Sequence, residues 1–449
     1  MAVSRRDLIA YGTAGTLGMF TGGFANAAQA NPPQAGNFSN IELAPPKNSA
    51  PPTPESEQSM AVPSTLMPTA PRGFDMRNSL NPRRLTMAMW DQAYLARHMP
   101  GGSFEDYDRV LDETVDRAYN TLRIDPLPQY IDLSKPDTIF NWPNPHEPFM
   151  PWGQNTAVKG PLGRWLIEFV EKLQKRPSLH YTLSAWWGGY GSPWIRRPEN
   201  MLQGAEFWAK QLSDWKGRFG FDHLIYVDIA NETPYFFPGM MAKLKQITGA
   251  GFQDSSRFAP KEIDYLSEEI NMPLAMLRKE FPELRFTTSI HGDMRWFDVP
   301  LQMDCLDVHF YSDTDPRWTD RTRFDEFIKE GLFRNDSWFR EFSDRSMKTF
   351  GAMAPMLRAR QRFKMAEFSR WAQIHGAPLT TSEAWSTWYY FDSPELNWRW
   401  LMDWSAWTVD DAIDMQFWGW TPNNYVQPQF AIWKDLQWHR DLNERFLQS

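Results

Sequence analysis

Eight short apolar runs, separated by longer amphipathic stretches, limit the fold of this chain more than any other feature. The runs are RLTMAMW (84–90), TLRIDPL (121–127), LHYTLSAWW (179–187), HLIYVDIAN (223–231), RFTTSI (285–290), LDVHFY (306–311), PLTTSEAW (378–385) and IDMQFWGW (413–420). Each has the length and the β-branched or aromatic content of a buried strand. The stretches 104–119, 163–176, 206–219, 262–281, 356–376, 394–411 and 429–447 carry apolar residues at helical spacing. The first of them, FEDYDRVLDETVDRAY, follows Ser103 as a candidate N-cap and has acids in its opening turn. This alternation predicts an α/β fold, a (β/α)8 TIM barrel forming a single domain over 81–449. An open doubly wound sheet is the alternative, but no GxGxxG follows any of the strands, which weakens its nucleotide-binding form.

The segment ahead of the barrel reads as an address and a spacer. Arg5-Arg6 precede a Gly- and Thr-rich apolar stretch from Leu8 to Phe24, and Ala28-Gln29-Ala30 offers a small-x-small cleavage pattern. Residues 1–30 are therefore expected to be a twin-arginine export signal, with Leu8 where Phe is more usual. A membrane anchor competes, but the run is short for a span and interrupted by glycine. Residues 31–80, which include APPKNSAPPTPESE, are expected to be a Pro-rich disordered linker. The mature protein is thus expected in the periplasm or outside the cell, with no stable membrane anchor. The lone cysteine, Cys305, rules out an intramolecular disulfide and reads as a buried thiol.

Two totals bear on partners. A formal charge of -8 argues against a nucleic-acid partner, because phosphate neutralisation needs clustered Lys and Arg. The 23 tryptophans exceed ordinary usage, and a buried indole needs a partner for its N–H. Some of these rings are expected to be partly exposed, with faces suited to sugar C–H surfaces, and the others to fill the core.

In a barrel of this kind the chemistry gathers at the carboxyl ends of the strands. In strand order those ends read Trp90-Asp91, Arg123 with Asp125, Trp186-Trp187, Asn231-Glu232, His291 with Asp293, His309 with Tyr311, Glu383 with Trp385, and Trp418 with Trp420. Strands four and seven lie across the barrel mouth from one another, so Glu232 and Glu383 can face each other. Two carboxylates about 5 Å apart would flank a glycosidic bond, one as proton donor and the other as nucleophile.

With these residues in place, the chain resembles glycoside hydrolase family 5 and its relatives in the retaining (β/α)8 glycosidase clan. MAMWDQAYLARHMPGG with YNTLRIDPLP is similar to a cellulase-like bacterial subgroup with Trp-Asp on strand one, and the likeness spans roughly residues 83–430. The resemblance implies Glu232 as acid/base, Glu383 as nucleophile and Arg123 as the residue orienting that nucleophile. It also implies substrate contacts from Asn231, His309, Tyr311 and a strand-eight indole, Trp418 or Trp420, beneath the sugar. Trp90, Asp91, Trp186 and Trp385 are further candidates for binding substrate. Arg123 and Tyr311 would favour the charged form of Glu383, whereas a poorly hydrated site would raise the pKa of Glu232. Asp91 would accept from a sugar hydroxyl or pair with Arg97. Thr233, between Glu232 and Pro234, departs from the usual Asn-Glu-Pro, and strand three ends in indoles where a histidine is common.

The expected partner is an oligo- or polysaccharide, with no cofactor and no metal; oligomeric state is not readable. A metal hydrolase built on His291-x-Asp293 and Asp307-x-His309 is one rival, a non-catalytic sugar-binding protein another and a transglycosylase a third. Trp318, in the long segment after strand six, is a candidate platform for the leaving sugar, with surface packing as its plainer role.

Overall fold

The computed structural model describes residues 80–142, 157–187, 197–252, 256–311, 315–324, 326, 336–385 and 393–449. The expected export signal and all but the last residue of the expected linker lie outside them. Strands β1 (Leu85–Asp91), β2 (Thr121–Ile124), β3 (His180–Ser184) and β4 (Leu224–Asp228) run in parallel, each paired with the next. Strand β5 is split into Phe286–Thr287, which pairs with β4, and Ile290–His291, which pairs with β6 (Leu306–Tyr311). Strand β7 is likewise split into Leu379–Thr380 and Ala384–Trp385, both beside β6. Strand β8 (Gly419–Trp420) pairs with β7 and then with β1, matching Leu85 to Gly419 and Thr86 to Trp420. The sheet therefore closes as the expected eight-stranded barrel.

Local chemistry starts the helices. Helix α1 (Tyr107–Asp116) is capped by Asp106, whose carboxylate accepts from Arg109 N at 3.1 Å, three residues later than the expected Ser103 cap. Helix α2 spans Leu162–Gln174, and α3 (Met201–Phe219) is capped by Asn200 and ends at Gly220. Helix α4 (Pro238–Thr248) follows β4; α5 (Pro260–Glu280) opens on proline, with Glu262 accepting from Ala259 N. After β6 come α6 (Pro316–Thr322) and α7 (Asp336–His375), so the expected helix at 356–376 is the second half of a longer one. Helices α8 (Arg399–Asp414) and α9 (Leu436–Leu447) complete the ring. No helix of the described residues is long and apolar enough to cross a membrane.

One apolar core fills the space between barrel and helices. A second, smaller cluster of Leu85, Met87, Ile225, Tyr226, Cys305 and Trp418 comes from the first three residues of strands or the residue just before one, and so closes the barrel floor. The indoles largely belong to these cores and not to the surface. Trp165, Trp186, Trp407 and Trp438 are half-buried, while the other indoles whose burial is described are buried. Trp318 is among the buried ones, packed 5.0 Å from Trp400, so it offers no platform to a sugar.

Candidate active site

Arg123, in the middle of β2, carries the polar groups of the barrel mouth. Its Nη1 lies 2.6 Å from Glu383 Oε1 and 3.0 Å from Asp91 Oδ1. Its Nη2 donates to Ser184 Oγ at 2.9 Å and also to Asn231 Oδ1, and lies 3.8 Å from Asp228. All of these residues are buried. Arg123 is held well above its ordinary pKa: burial opposes the charge, but Asp91, Glu383 and Asp228 around it outweigh that. Asp91 is thus turned to Arg123.

Glu383, in the bend that splits β7, receives Arg123 on Oε1 and the Tyr311 hydroxyl on Oε2 at 2.6 Å. Glu232 sits beyond the end of β4 with φ of 51°, a left-handed conformation that costs a non-glycine residue on the order of 1 kcal/mol. Neighbouring strands hold it there. Glu232 N donates to Ser289 Oγ at 2.9 Å, Asn231 N to Ala185 O at 2.8 Å, and Thr233 N to Ser289 O at 3.0 Å. The Thr233 hydroxyl shares a bond with that of Thr288, which in turn donates to Ala230 O. The residue that departs from Asn-Glu-Pro thus ties the acid-bearing turn to β5.

Three groups converge on one oxygen of Glu232. His309 Nδ1 lies 3.0 Å, His291 Nε2 3.1 Å and Tyr311 Oη 3.3 Å from Oε1. Among the described residues no hydrogen bond is found for Oε2, which is the oxygen left for another molecule. The expected raised pKa of Glu232 is not what this geometry produces. Burial does favour the neutral carboxyl, but His291 and His309 outweigh it and hold the group below the usual carboxylate range.

His309 belongs to a chain of bonds. Ser382 Oγ donates to Asp307 Oδ2 at 2.7 Å and is therefore an acceptor for His309 Nε2 at 3.3 Å, while Nδ1 faces Glu232. Both ring nitrogens thus act as donors, as in an imidazolium. Burial works against that charge, but Glu383, Glu232 and Asp307 raise the ring to about 9. Asp307 also accepts from the Tyr226 hydroxyl and Ser382 N, and Asp293 caps a helical turn and binds Arg295. The two aspartates of the metal reading are thereby engaged by protein donors.

Among the described residues, Glu232, His309 and Glu383 alone bring three acidic or imidazole donors together, with atoms all within 4.8 Å. Arg123 on one carboxylate and a doubly donating His309 on the other supply the positive charge there.

The remaining predicted residues divide. Asn231 contributes Oδ1 to Arg123, and its Nδ2 is buried with no acceptor among the described residues. Trp186 stays half-buried at the end of β3, its ring 5.2 Å from Phe236. Four indoles lie elsewhere. Trp418 is in the floor cluster and donates to Pro82 O; Trp420 faces outward against Phe446 of α9 and donates to Thr408. Trp385 stacks on Phe310 on the outer side of the sheet, and Trp90 packs between Phe104 and Trp433 beneath the helices. Neither strand-eight indole reaches the mouth. That side is supplied by Asn424, whose Oδ1 accepts from Ala384 N at 2.7 Å and whose amide bonds the Tyr311 hydroxyl. Asn424, Ser184 and Asp228 were not singled out from the sequence, though the polar run TPNNY after Trp420 marks the first of them.

The profile of the cellulase-like family, described as sugar-binding cellulase-like, matches residues 87–447. The chain belongs to the cellulase-like family. No curated protein matches it. Among solved structures, a protein of Parabacteroides distasonis provisionally described as a glycoside hydrolase superposes with a TM-score of 0.65 at 21% identity, over 81% of this chain and 93% of that one. This likeness concerns the fold. An exo-β-1,4-mannosidase from an Opitutaceae bacterium gives 0.47 at 12% identity, over 81% and 60% of the two chains. An endo-1,4-β-D-mannanase of Thermotoga petrophila gives 0.42 at 12%, over 81% and 99%.

Proposed function

We propose that this cellulase-like protein is a retaining glycoside hydrolase acting on β-linked oligo- or polysaccharides. The observation carrying this reading is the close facing pair of Glu232 and Glu383, with ligand atoms within 4.8 Å, in unlike surroundings. Inverting enzymes separate their carboxyl groups by about 6.5–9.5 Å to admit a water molecule. Glu383, aligned by Arg123 and Tyr311, attacks the anomeric carbon. Glu232, in the protonated form that its two histidines oppose, gives up that proton from Oε2 to the departing oxygen, and the glycosyl group passes to the Glu383 carboxylate. Water then enters, Glu232 takes its proton, and the glycosyl ester breaks with net retention. Asn231 Nδ2, a buried donor without an acceptor among the described residues, bonds the sugar 2-hydroxyl in this reading. Export by the twin-arginine route is part of the proposal and rests on Arg5-Arg6 and the stretch behind them.

The test is product analysis on β-glucans, β-mannans and bacterial exopolysaccharides, with the anomeric configuration followed by NMR. The expected result is a β-configured first product and a fall of about a hundredfold or more in kcat for Glu232→Gln and Glu383→Gln. An inverted product removes the covalent step. Binding without turnover in the unsubstituted protein assigns the family's sugar-binding role instead, and sugar acceptors outcompeting water assign transglycosylation.

A further inference from the structure

His309 cannot be the group that connects Glu232 to solvent. It is fully buried, and both its nitrogens are engaged, one by Glu232 and one by Ser382. The other imidazole on the same carboxylate oxygen differs in each respect. His291, at the end of β5, keeps 18% of its side chain exposed while placing Nε2 3.1 Å from Glu232 Oε1. Its ring is fixed edge-on to Tyr235 at 5.1 Å and lies 5.5 Å from Tyr311 and 6.4 Å from His309. The titratable groups facing it are therefore Glu232 and Tyr235 from the β4 side, and His309 and Tyr311 from β6. Asp293, two residues on, is turned to Arg295.

We propose that His291 is a positioning residue that sets the protonation state of Glu232, fixing Oε1 from the solvent side so that Oε2 is the reacting oxygen. The proposal rests on Glu232 being the acid/base group. Paired with His309 alone, Glu232 would have one buried imidazole against Oε1; His291 adds a second, on a side chain that keeps part of its surface in solvent. A positive charge at this distance favours Glu232 as the carboxylate, the form that accepts a proton from water. When the His291 charge is removed, the carboxyl keeps its own proton to higher pH, because an opposite charge at this range lowers a carboxyl pKa.

Two measurements separate this proposal from the catalytic reading. In protein labelled at the glutamate carboxyl carbons, the Glu232 resonance is assigned by its loss in Glu232→Gln, and its titration is followed by 13C NMR. In His291→Asn the midpoint is expected to rise by about one pH unit or more; His291→Gln, closer in length, is expected to shift it in the same direction. An unmoved midpoint in whichever variant folds overturns the proposal, whether or not the protein hydrolyses any glycoside. Where hydrolysis is found, the basic limb of kcat/KM in His291→Asn moves to higher pH for β-glycosides with alcohol leaving groups. It stays in place for 2,4-dinitrophenyl glycosides, whose leaving group departs without a proton. Equal shifts for both leaving groups would mean that the substitution acts on Glu383 or on the fold, and would also overturn the assignment.

Discussion

At Arg123 one guanidinium meets Glu383, Asp91, Asn231 and Ser184, with Asp228 3.8 Å away, in a place that water does not reach. A single buried cation thus holds together residues from β1, β2, β3, β4 and β7. Removing one partner of such a group leaves several buried carboxylates unpaired, which costs about 3–5 kcal/mol. Arg123→Met is expected to lose stability on that scale by urea denaturation at pH 7, and to regain part of it at pH 5 as the stranded acids take up protons. A loss under about 1 kcal/mol, as for an exposed pair, would contradict a network centred on this residue. Arg123→Lys is not conservative here, because an ammonium lacks the fork that reaches Glu383 and Ser184 together.

Strand β8 is only Gly419–Trp420, yet it joins β7 to β1 and so closes the barrel. Gly419 is required by close approach: a Cβ there would lie 2.1 Å from Thr380 Oγ1 and 3.0 Å from Met87 Cε. Gly419→Ala must push β7 or β1 outward, and overpacking of this kind costs about 1–3 kcal/mol. Thermal unfolding should show the lowered midpoint; an unchanged one would mean that the seam is looser than its spacing. The same strand shows where the sequence stops being readable. Each barrel strand falls on an apolar run picked out in advance, with β1 and β5 extending one residue past theirs, because burial on both faces leaves a continuous apolar signature. The ends of β1, β2, β4 and β6 are equally plain, and they bring Asp91, Arg123, Glu232, His309 and Tyr311 to one place. At β8 the run IDMQFWGW begins inside α8, so its indoles fall short of the carboxyl end, which the chain reaches only at Thr421–Tyr425. Alternation then decides the rest. Trp420 and Trp385 leave the outer face of the sheet, and Trp418 falls at the floor. Asn424 follows the strand in a turn, where no periodicity marks it. The charge state of Glu232 was not readable either, since it depends on His291 and His309, brought to it from two other strands.

The buried ionisable groups also govern how the whole molecule responds to pH. Asp228 is raised to about 7 because burial and nearby Asp307 outweigh Arg123, whereas an unfolded Asp titrates near about 3.9. Between those values the folded chain binds more protons than the unfolded one, so stability falls as pH rises from about 4 to about 7. Asp125, lifted by burial to about 6, adds a slope of the same sign. His309, raised to about 9 from an unfolded value near about 6.5, contributes stability that is complete below about 6.5 and lost as pH rises through about 9. Glu232 acts oppositely: its depressed pKa gives stability that is present above about 4.3 and lost as pH falls further. The sum places greatest stability in mildly acidic solution, with a thermal midpoint declining from about pH 5 to about pH 9. Asp228→Asn keeps the side-chain shape and removes its titration, so the decline below about pH 7 should flatten while the decline above it persists. Scanning calorimetry on both proteins across this range separates the contributions. Parallel profiles for the two would assign the acid limb to groups other than Asp228, and a midpoint rising towards pH 9 would mean that His309 is not held protonated by the carboxylates around it.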